Sequence, residues 1–175
     1  MDAFAQAVEA WHDFYIMVGT AAATLIGLLF VSLSLNASVI RRKSNADLRA
    51  LAAQTFGNFL SVLMFAVVFL IPSQVPEGLG LPLVAVGGFQ LYNTVSRLLE
   101  ARRMGPRVWG RRGLTLRYVI PGVCFATLMI IAASVLLGRT GGLYWLVPVM
   151  ILLLVAASRN AWDLLMRLGP PRTEA

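Results

Sequence analysis

The stretch FYIMVGTAAATLIGLLFVSLSLN at residues 14–36, followed closely by Arg41, Arg42 and Lys43, decides the fold class. It carries no charged side chain, and it is longer than the roughly 20 apolar residues that a helix needs to cross a bilayer. Basic residues directly after an apolar span remain on the cytoplasmic side during insertion. The stretch therefore predicts a membrane-spanning helix whose C-terminal end faces the cytoplasm.

Four further apolar stretches follow, and the composition agrees with them. The 175-residue chain is 58% hydrophobic and 13% charged, whereas about 25% of the residues of a soluble domain are charged. Five spans with short connections leave no room for a separate soluble domain. We predict an all-α integral membrane fold of five transmembrane helices forming a bundle over residues 14–166, with spans at 14–36, 51–71, 79–99, 117–138 and 143–166.

The two ends have a different character from the bundle. In residues 1–13, Phe4, Val8 and Trp11 recur at helical spacing, which predicts an amphipathic segment lying at the membrane interface. This segment has no positive charge before the first span, so no cleavable signal peptide is expected. Residues 167–175 contain two adjacent prolines, Pro170 and Pro171, and are predicted to form a disordered tail.

The basic residues predict the orientation. Of the 15 Lys and Arg residues, only Arg139 lies in the loops on the side opposite Arg41 and Arg42. The positive-inside rule then places the N-terminus in the periplasmic or extracellular space and the C-terminus in the cytoplasm. Because these charges border apolar spans, we expect them to contact anionic lipid headgroups at the cytoplasmic rim, and we expect no nucleic-acid partner.

The first span combines small residues with hydroxyls. Gly19, Ala23 and Gly27 form a small-xxx-small pattern, which allows another helix to approach closely. An adjoining stripe at multiples of four contains Thr20, Thr24, Ser32 and Asn36. Two interpretations stay open, since the seam either packs against a helix or lines a wet path, and both are compatible with a homo-oligomer.

Polar residues also gather toward the cytoplasmic ends of the second and third spans. One face of the second span carries Gln54, Thr55, Asn58 and Ser61. One face of the third carries Gln90, Asn93, Thr94 and Arg97. Amides in hydrocarbon need partners, so we expect the two sets to bond to each other. The alternative is a vestibule for a polar solute or an anion.

Two arginines lie near the predicted inner mouth. Arg97 and Arg159 are either interfacial anchors or part of an anion-binding ring. Spacing allows Arg159 to pair with Asp163 on one helix face.

The middle turns of the five spans contain no Asp, Glu, His, Lys or Arg, which argues against a proton-driven pump. Cys124 and His12 are the single cysteine and histidine, and no catalytic motif is visible. We therefore expect no enzyme activity, no metal site and no cofactor.

One resemblance concerns the N-terminal region. The residues WHDFY at 11–15, followed by GTAAATLIGLLFVSLSL at 19–35, resemble the opening of small uncharacterised bacterial multi-pass inner-membrane proteins. The resemblance implies a bacterial inner (plasma) membrane, and it brings no activity, ligand or site residue with it.

Three functional classes remain; a carrier or an intramembrane enzyme is the third, and two other functions fit these patterns better. The first is a homo-oligomeric pore or channel for ions, with an anionic preference, or for small solutes. The alternative is a non-catalytic scaffold or regulatory subunit of a membrane complex, which would dock through its arginine-rich cytoplasmic loop.

Overall fold

The computed structural model describes residues 6, 8–42, 45–72, 75–103 and 115–168. Within these ranges the chain is helical and contains no strand. A π-helical turn, Thr115–Val119, leads into the fifth helix, and a 3-10 turn, Gly141–Trp145, leads into the sixth. The helices are α1 (His12–Leu35), the short α2 (Ala37–Ile40), α3 (Ala46–Phe69), α4 (Pro76–Arg103), α5 (Ile120–Leu136) and α6 (Leu146–Leu168).

Each predicted span falls on one of the five long helices, and the largest differences lie at their ends. Helix α3 begins at Ala46 rather than at residue 51, and α4 runs to Arg103 rather than to residue 99. Backbone hydrogen bonding does not require apolar side chains, so these two helices extend beyond their apolar parts. Helix α6 includes the first two residues of the predicted tail, while residues 169–175 lie outside the described ranges. Of the predicted lead-in, residues 1–5 and 7 also lie outside the described ranges, while residues 6, 8, 9, 12 and 13 are helical.

Among the described residues, four helical segments are long and apolar enough to cross a membrane: His12–Leu35, Leu48–Phe69, Arg117–Leu136 and Gly141–Leu168. Helix α4 is not one of them. With 28 residues it is long enough, but Gln90, Asn93 and Arg97 make its second half less apolar than the other helices.

Helix α3 is the central element of the fold. It packs against α1, α4 and α6, while α5 packs against α4 and α6. Helices α3 to α6 therefore close into a four-helix bundle. Helix α1 lies outside this bundle, mainly against α3, and it is the least buried of the four candidate spans.

The core consists of two apolar clusters. The larger one contains fully buried side chains from several helices, including Phe65, Phe125 and Leu128. Tyr15 of α1 joins this cluster by stacking on Phe69, with ring centroids 4.2 Å apart. The smaller cluster lies among α1, α3 and α6 and includes Leu29, Leu51, Phe59, Ala157 and Leu164. Dense packing of this kind fills the interior of the bundle with side chains.

Two glycines explain why α4 and α5 lie so close together. A Cβ atom on Gly80 would come within 2.5 Å of Leu136 Cδ2, and one on Gly87 within 2.6 Å of Leu128 Cδ2. The two glycines are seven residues apart, so they lie on the same face of α4. Small residues on one helix thus receive leucines from the other, as in many membrane helix pairs.

The end of α5 is fixed by a glycine in the left-handed region. Gly138 has φ of +70°, its N–H donates to Val135 O at 2.8 Å, and the Arg139 N–H donates to Ser134 O at 3.0 Å. This pair of bonds is a Schellman motif, which satisfies carbonyls that the helix end would otherwise leave free. It turns the chain from α5 toward the 3-10 turn.

Candidate functional site

The polar residues that the sequence places on α3 and α4 surround one small cavity. We use the term polar cluster for the six polar residues that line it. The cavity has a volume of about 40 Å³ and holds space for water-sized molecules. The polar cluster consists of Gln54, Asn58, Gln90, Asn93, Thr94 and Arg97.

Helices α3 and α4 are joined by hydrogen bonds of Gln90. Its Nε2 donates to the Gly57 carbonyl at 2.7 Å and to Ser61 Oγ at 2.6 Å. Ser61 Oγ itself donates to the Gly57 carbonyl at 2.7 Å. The glycine provides room for this contact, because a Cβ atom there would lie 3.2 Å from Gln90 Nε2. Gln90 of the third-span set thus bonds to Ser61 of the second-span set and to the Gly57 carbonyl, rather than to Gln54 or Asn58.

Gln54 instead bonds to Arg117, at the turn that leads into α5. Its Nε2 donates to the Arg117 carbonyl at 2.7 Å, and Arg117 Nε donates to Gln54 Oε1 at 3.1 Å. Pro121 explains why this carbonyl is accessible. A proline has no N–H, so the carbonyl four residues before it lacks its usual helical donor. The glutamine of α3 supplies a donor in its place.

Sequence reasoning missed Arg117 and Asn160 as interior polar residues. Arg117 was placed among the rim charges, yet it is only 4% exposed, and its guanidinium lies 5.3 Å from the centre of the Tyr118 ring. Asn160 of α6 is 8% exposed. Pro121, four residues later, is a sequence signal for the free carbonyl of Arg117, although it does not predict the burial of the side chain.

Two amide nitrogens in this region are buried without a hydrogen-bond partner among the described residues: Asn58 Nδ2 and Asn160 Nδ2. A buried donor without a partner is costly. Asn58 lines the small cavity, so a molecule or ion that accepts a hydrogen bond there would relieve part of that cost. Asn160 lines a second, larger cavity of about 810 Å³.

The two arginines assigned to the inner mouth lie in different places. Arg97 lines the small cavity, and its Nη1 donates to the Ala50 carbonyl at 3.2 Å. Arg159 lines the larger cavity on α6 and is exposed. Its expected partner Asp163 pairs instead with Arg167, with 3.1 Å between Nη2 and Oδ2. The two arginines therefore do not form one site within a single chain.

The small-residue seam of α1 is divided between two environments. Gly19 is buried, and a Cβ atom there would lie 2.9 Å from Ala66 Cβ, so this glycine sets the close approach of α1 to α3. Ala23 and Gly27 are exposed, and a Cβ atom on Gly27 would meet open space within 4 Å. Of the three small residues, only Gly19 is buried within the chain.

The hydroxyl stripe of α1 winds around the helix. Thr20 and Thr24 are exposed, whereas Ser32 and Asn36 are half-buried. Residues at multiples of four drift, because 3.6 residues make a turn, and from position 20 to position 36 the drift amounts to about 160°. Two side chains of the stripe bond to the backbone of the same helix: the Thr24 hydroxyl donates to the Thr20 carbonyl at 2.9 Å, and the Asn36 amide donates to the Ser32 carbonyl at 3.0 Å.

Within the described ranges, no group of three or more His, Cys, Asp and Glu side chains comes together to hold a metal ion. Cys124 is buried and unbridged, packed in the larger apolar cluster. Comparison with protein-family models, with curated proteins and with solved structures finds no match.

Proposed function

We propose that the chain crosses a bacterial inner membrane five times, with its N-terminus outside and its C-terminus in the cytoplasm. Four helices support this by length and apolar composition. For α4, the support comes from the way its residues are distributed. Its buried polar residue Thr94 faces the bundle, while Leu81 and Phe89 are exposed, apolar and suited to lipid.

We further propose that copies of the chain associate through α1. The observation that carries this proposal is the exposed seam of Thr20, Ala23, Thr24 and Gly27, with open space at Gly27. Small residues that remain exposed after the chain has folded leave a surface where a second helix can approach closely. Helix α1 is also the least buried of the four candidate spans.

The function we assign to this oligomer is a channel whose path runs between the copies. The interior of a single chain is filled by Phe65, Phe125 and other side chains of the larger apolar cluster, so a path for ions has to lie outside it. The hydroxyls of Thr20 and Thr24 would line that path, because an oxygen that donates to the backbone still accepts from water. The basic rim would attract anions to the mouth.

Recording from purified oligomer in planar bilayers tests the channel. We expect a current that Thr24→Leu reduces, because the variant replaces a hydroxyl on the path with an apolar side chain. We also expect Arg97→Gln to weaken the preference for anions, more at low salt, where screening is weaker. Ala126→Leu is the matched control, since it adds apolar bulk to an exposed position of α5. No current in chloride or nitrate from assembled protein would refute the channel.

A scaffold is the second candidate, and one observation favours it. Thr24 Oγ1 already donates to the carbonyl of Thr20, as a hydroxyl does in a dry helix interface. In a scaffold, Gly27→Leu would still abolish assembly, but the assembled wild-type protein would carry no current. The arginine-rich loop proposed as its docking surface spans residues 100–116. Its residues 100–103 continue α4, and residues 104–114 lie outside the described ranges.

A further inference from the structure

The larger cavity lies between the start of α5 and the C-terminal half of α6. Its volume of about 810 Å³ is within the usual range for small-molecule sites. Arg117 lines it from the α5 side, and all its other lining residues come from α6. Neither the channel nor the seam of α1 involves this cavity.

The lining changes in polarity along α6. Leu154 and Val155 lie at one end of the cavity, Ser158 and Arg159 one turn further, and Arg167 close to the end of the helix. With a rise of 1.5 Å per residue, Val155 and Arg167 are separated by about 18 Å. The cavity therefore has an apolar end toward the middle of the span and a charged end toward its rim.

The charged end is positive and holds donors that are still available. Three arginines and one aspartate, Asp163, line the cavity, so the formal charge of the lining is 3 − 1 = +2. Among the described residues, none forms an ion pair or a hydrogen bond with Arg159. Asn160 adds a buried Nδ2 without a partner among the same residues.

We propose that this cavity binds one anionic lipid. Its phosphate would lie at the charged end beside Arg159 and Asn160, and an acyl chain would lie along Leu154 and Val155. Trp162, which also lines the cavity and is 64% exposed, belongs to the residue types that favour the headgroup region. The proposal rests on the membrane-spanning part of the proposed function and is independent of the channel.

Two simpler ligands fit the cavity less well. A free phosphate would use the arginines but would leave the apolar end without a partner. A lipid of zero net charge would fill the apolar end but would not balance the +2 charge of the lining. An anionic lipid would fill the apolar end with its acyl chain and balance the charged end with its phosphate. Basic pockets between transmembrane helices are typical binding sites for such headgroups.

Calorimetric titration of the full-length protein in a non-ionic detergent tests the proposal. The probes are dioctanoyl phosphatidylglycerol, dioctanoyl phosphatidylcholine and inorganic phosphate. We expect saturable binding of phosphatidylglycerol alone. Losing one charged contact to the phosphate should weaken that binding about tenfold in Arg159→Gln. Arg41→Gln is the matched control, because it removes the same charge from an exposed position outside the cavity, and it should leave the Kd within about twofold.

A second variant acts at the other end of the cavity. Val155→Trp fills the apolar end without changing the charge, and we expect it to abolish phosphatidylglycerol binding. It decides the question if Arg159→Gln does not fold. Equal binding of phosphatidylcholine, equal binding of inorganic phosphate, or equal weakening by Arg41→Gln would each overturn the proposal. The channel is tested separately, because bilayer recording in neutral lipid does not depend on this site.

Discussion

Gln54 and Arg117 bond to each other twice, once through the Arg117 carbonyl at 2.7 Å and once through its Nε at 3.1 Å. One residue lies in the middle of the central helix α3, and the other lies in the turn that leads into α5. The Gln54 amide thus donates to the carbonyl that Pro121 leaves without its helical donor. The same amide accepts a hydrogen bond from the buried guanidinium. The pair fixes the start of α5 on α3.

Replacing Gln54 with Leu should destabilise the fold. The substitution removes the acceptor of a charged donor and the donor to a backbone carbonyl. We expect the free energy of unfolding to fall by about 2 kcal/mol, measured by denaturant titration in detergent micelles. Phe56→Leu, a change at an exposed position of the same helix, should cost less than about 0.5 kcal/mol. Equal effects of the two variants would show that the pair contributes nothing.

Gly19 and Gly27 should respond differently to the same substitution. Gly19→Leu forces a side chain into the contact with Ala66, so it should lower the unfolding free energy by about 1–3 kcal/mol. Gly27→Leu meets open space, so the monomer should stay as stable as the wild type while the oligomer dissociates. Mass photometry in nanodiscs, combined with thermal unfolding, measures both. An intact oligomer in Gly27→Leu would exclude the α1 seam as the interface.

Gly138→Ala should weaken the end of α5. The glycine has a φ of +70°, and a Cβ atom in this conformation costs about 1–2 kcal/mol. Thermal unfolding of the purified protein should show a corresponding loss. Gly141→Ala is the control, because a Cβ atom there meets nothing within 4 Å and no positive φ is required. If both variants unfold like the wild type, the Schellman motif does not limit stability.

The number of spans can be tested with cytoplasmic reporters. In a chain of five spans, a reporter active only in the cytoplasm should work after Ala175 and between Met104 and Gly113, and fail after Glu77. If α4 does not cross, the fusions on its two sides, after Glu77 and at residues 104–113, should behave alike. Such a result would leave the four candidate spans and remove the five-span topology.

The apolar stretches of the sequence fall on the five long helices. Four of these helices are apolar enough to cross a bilayer, and an apolar stretch of that length is nearly always a helix. Helical spacing placed Gln54 and Asn58 on one helix face and Gln90 and Asn93 on another. Because amides in hydrocarbon need partners, the two faces were expected to meet. Hydropathy could not show that Arg117 is buried. That depends on how the turn before α5 meets α3, which is a tertiary relationship rather than a local one.

Neighbouring helices also decided which half of the α1 seam stays exposed. The sequence shows three small residues at a spacing of four, but it does not show which of them another helix of the chain covers. Gly19 is buried because Ala66 of α3 lies against it, whereas Gly27 has no neighbour within 4 Å. The close packing of Gly80 and Gly87 on α5 is likewise visible only once both helices are in place.

The bonds from Gln90 to Gly57 and Ser61 bear on how the chain is made. Helix α4 is the least apolar of the five long helices, and on its own it would leave the translocon for the lipid with difficulty. Helix α3 is synthesised immediately before it and already presents the carbonyl and the hydroxyl that accept the hydrogens of Gln90. In a chain of five spans, the two helices would thus enter the bilayer as a hairpin. The Gly57 carbonyl and the Ser61 hydroxyl of α3 would then accept the hydrogen bonds that the Gln90 amide otherwise forms with water.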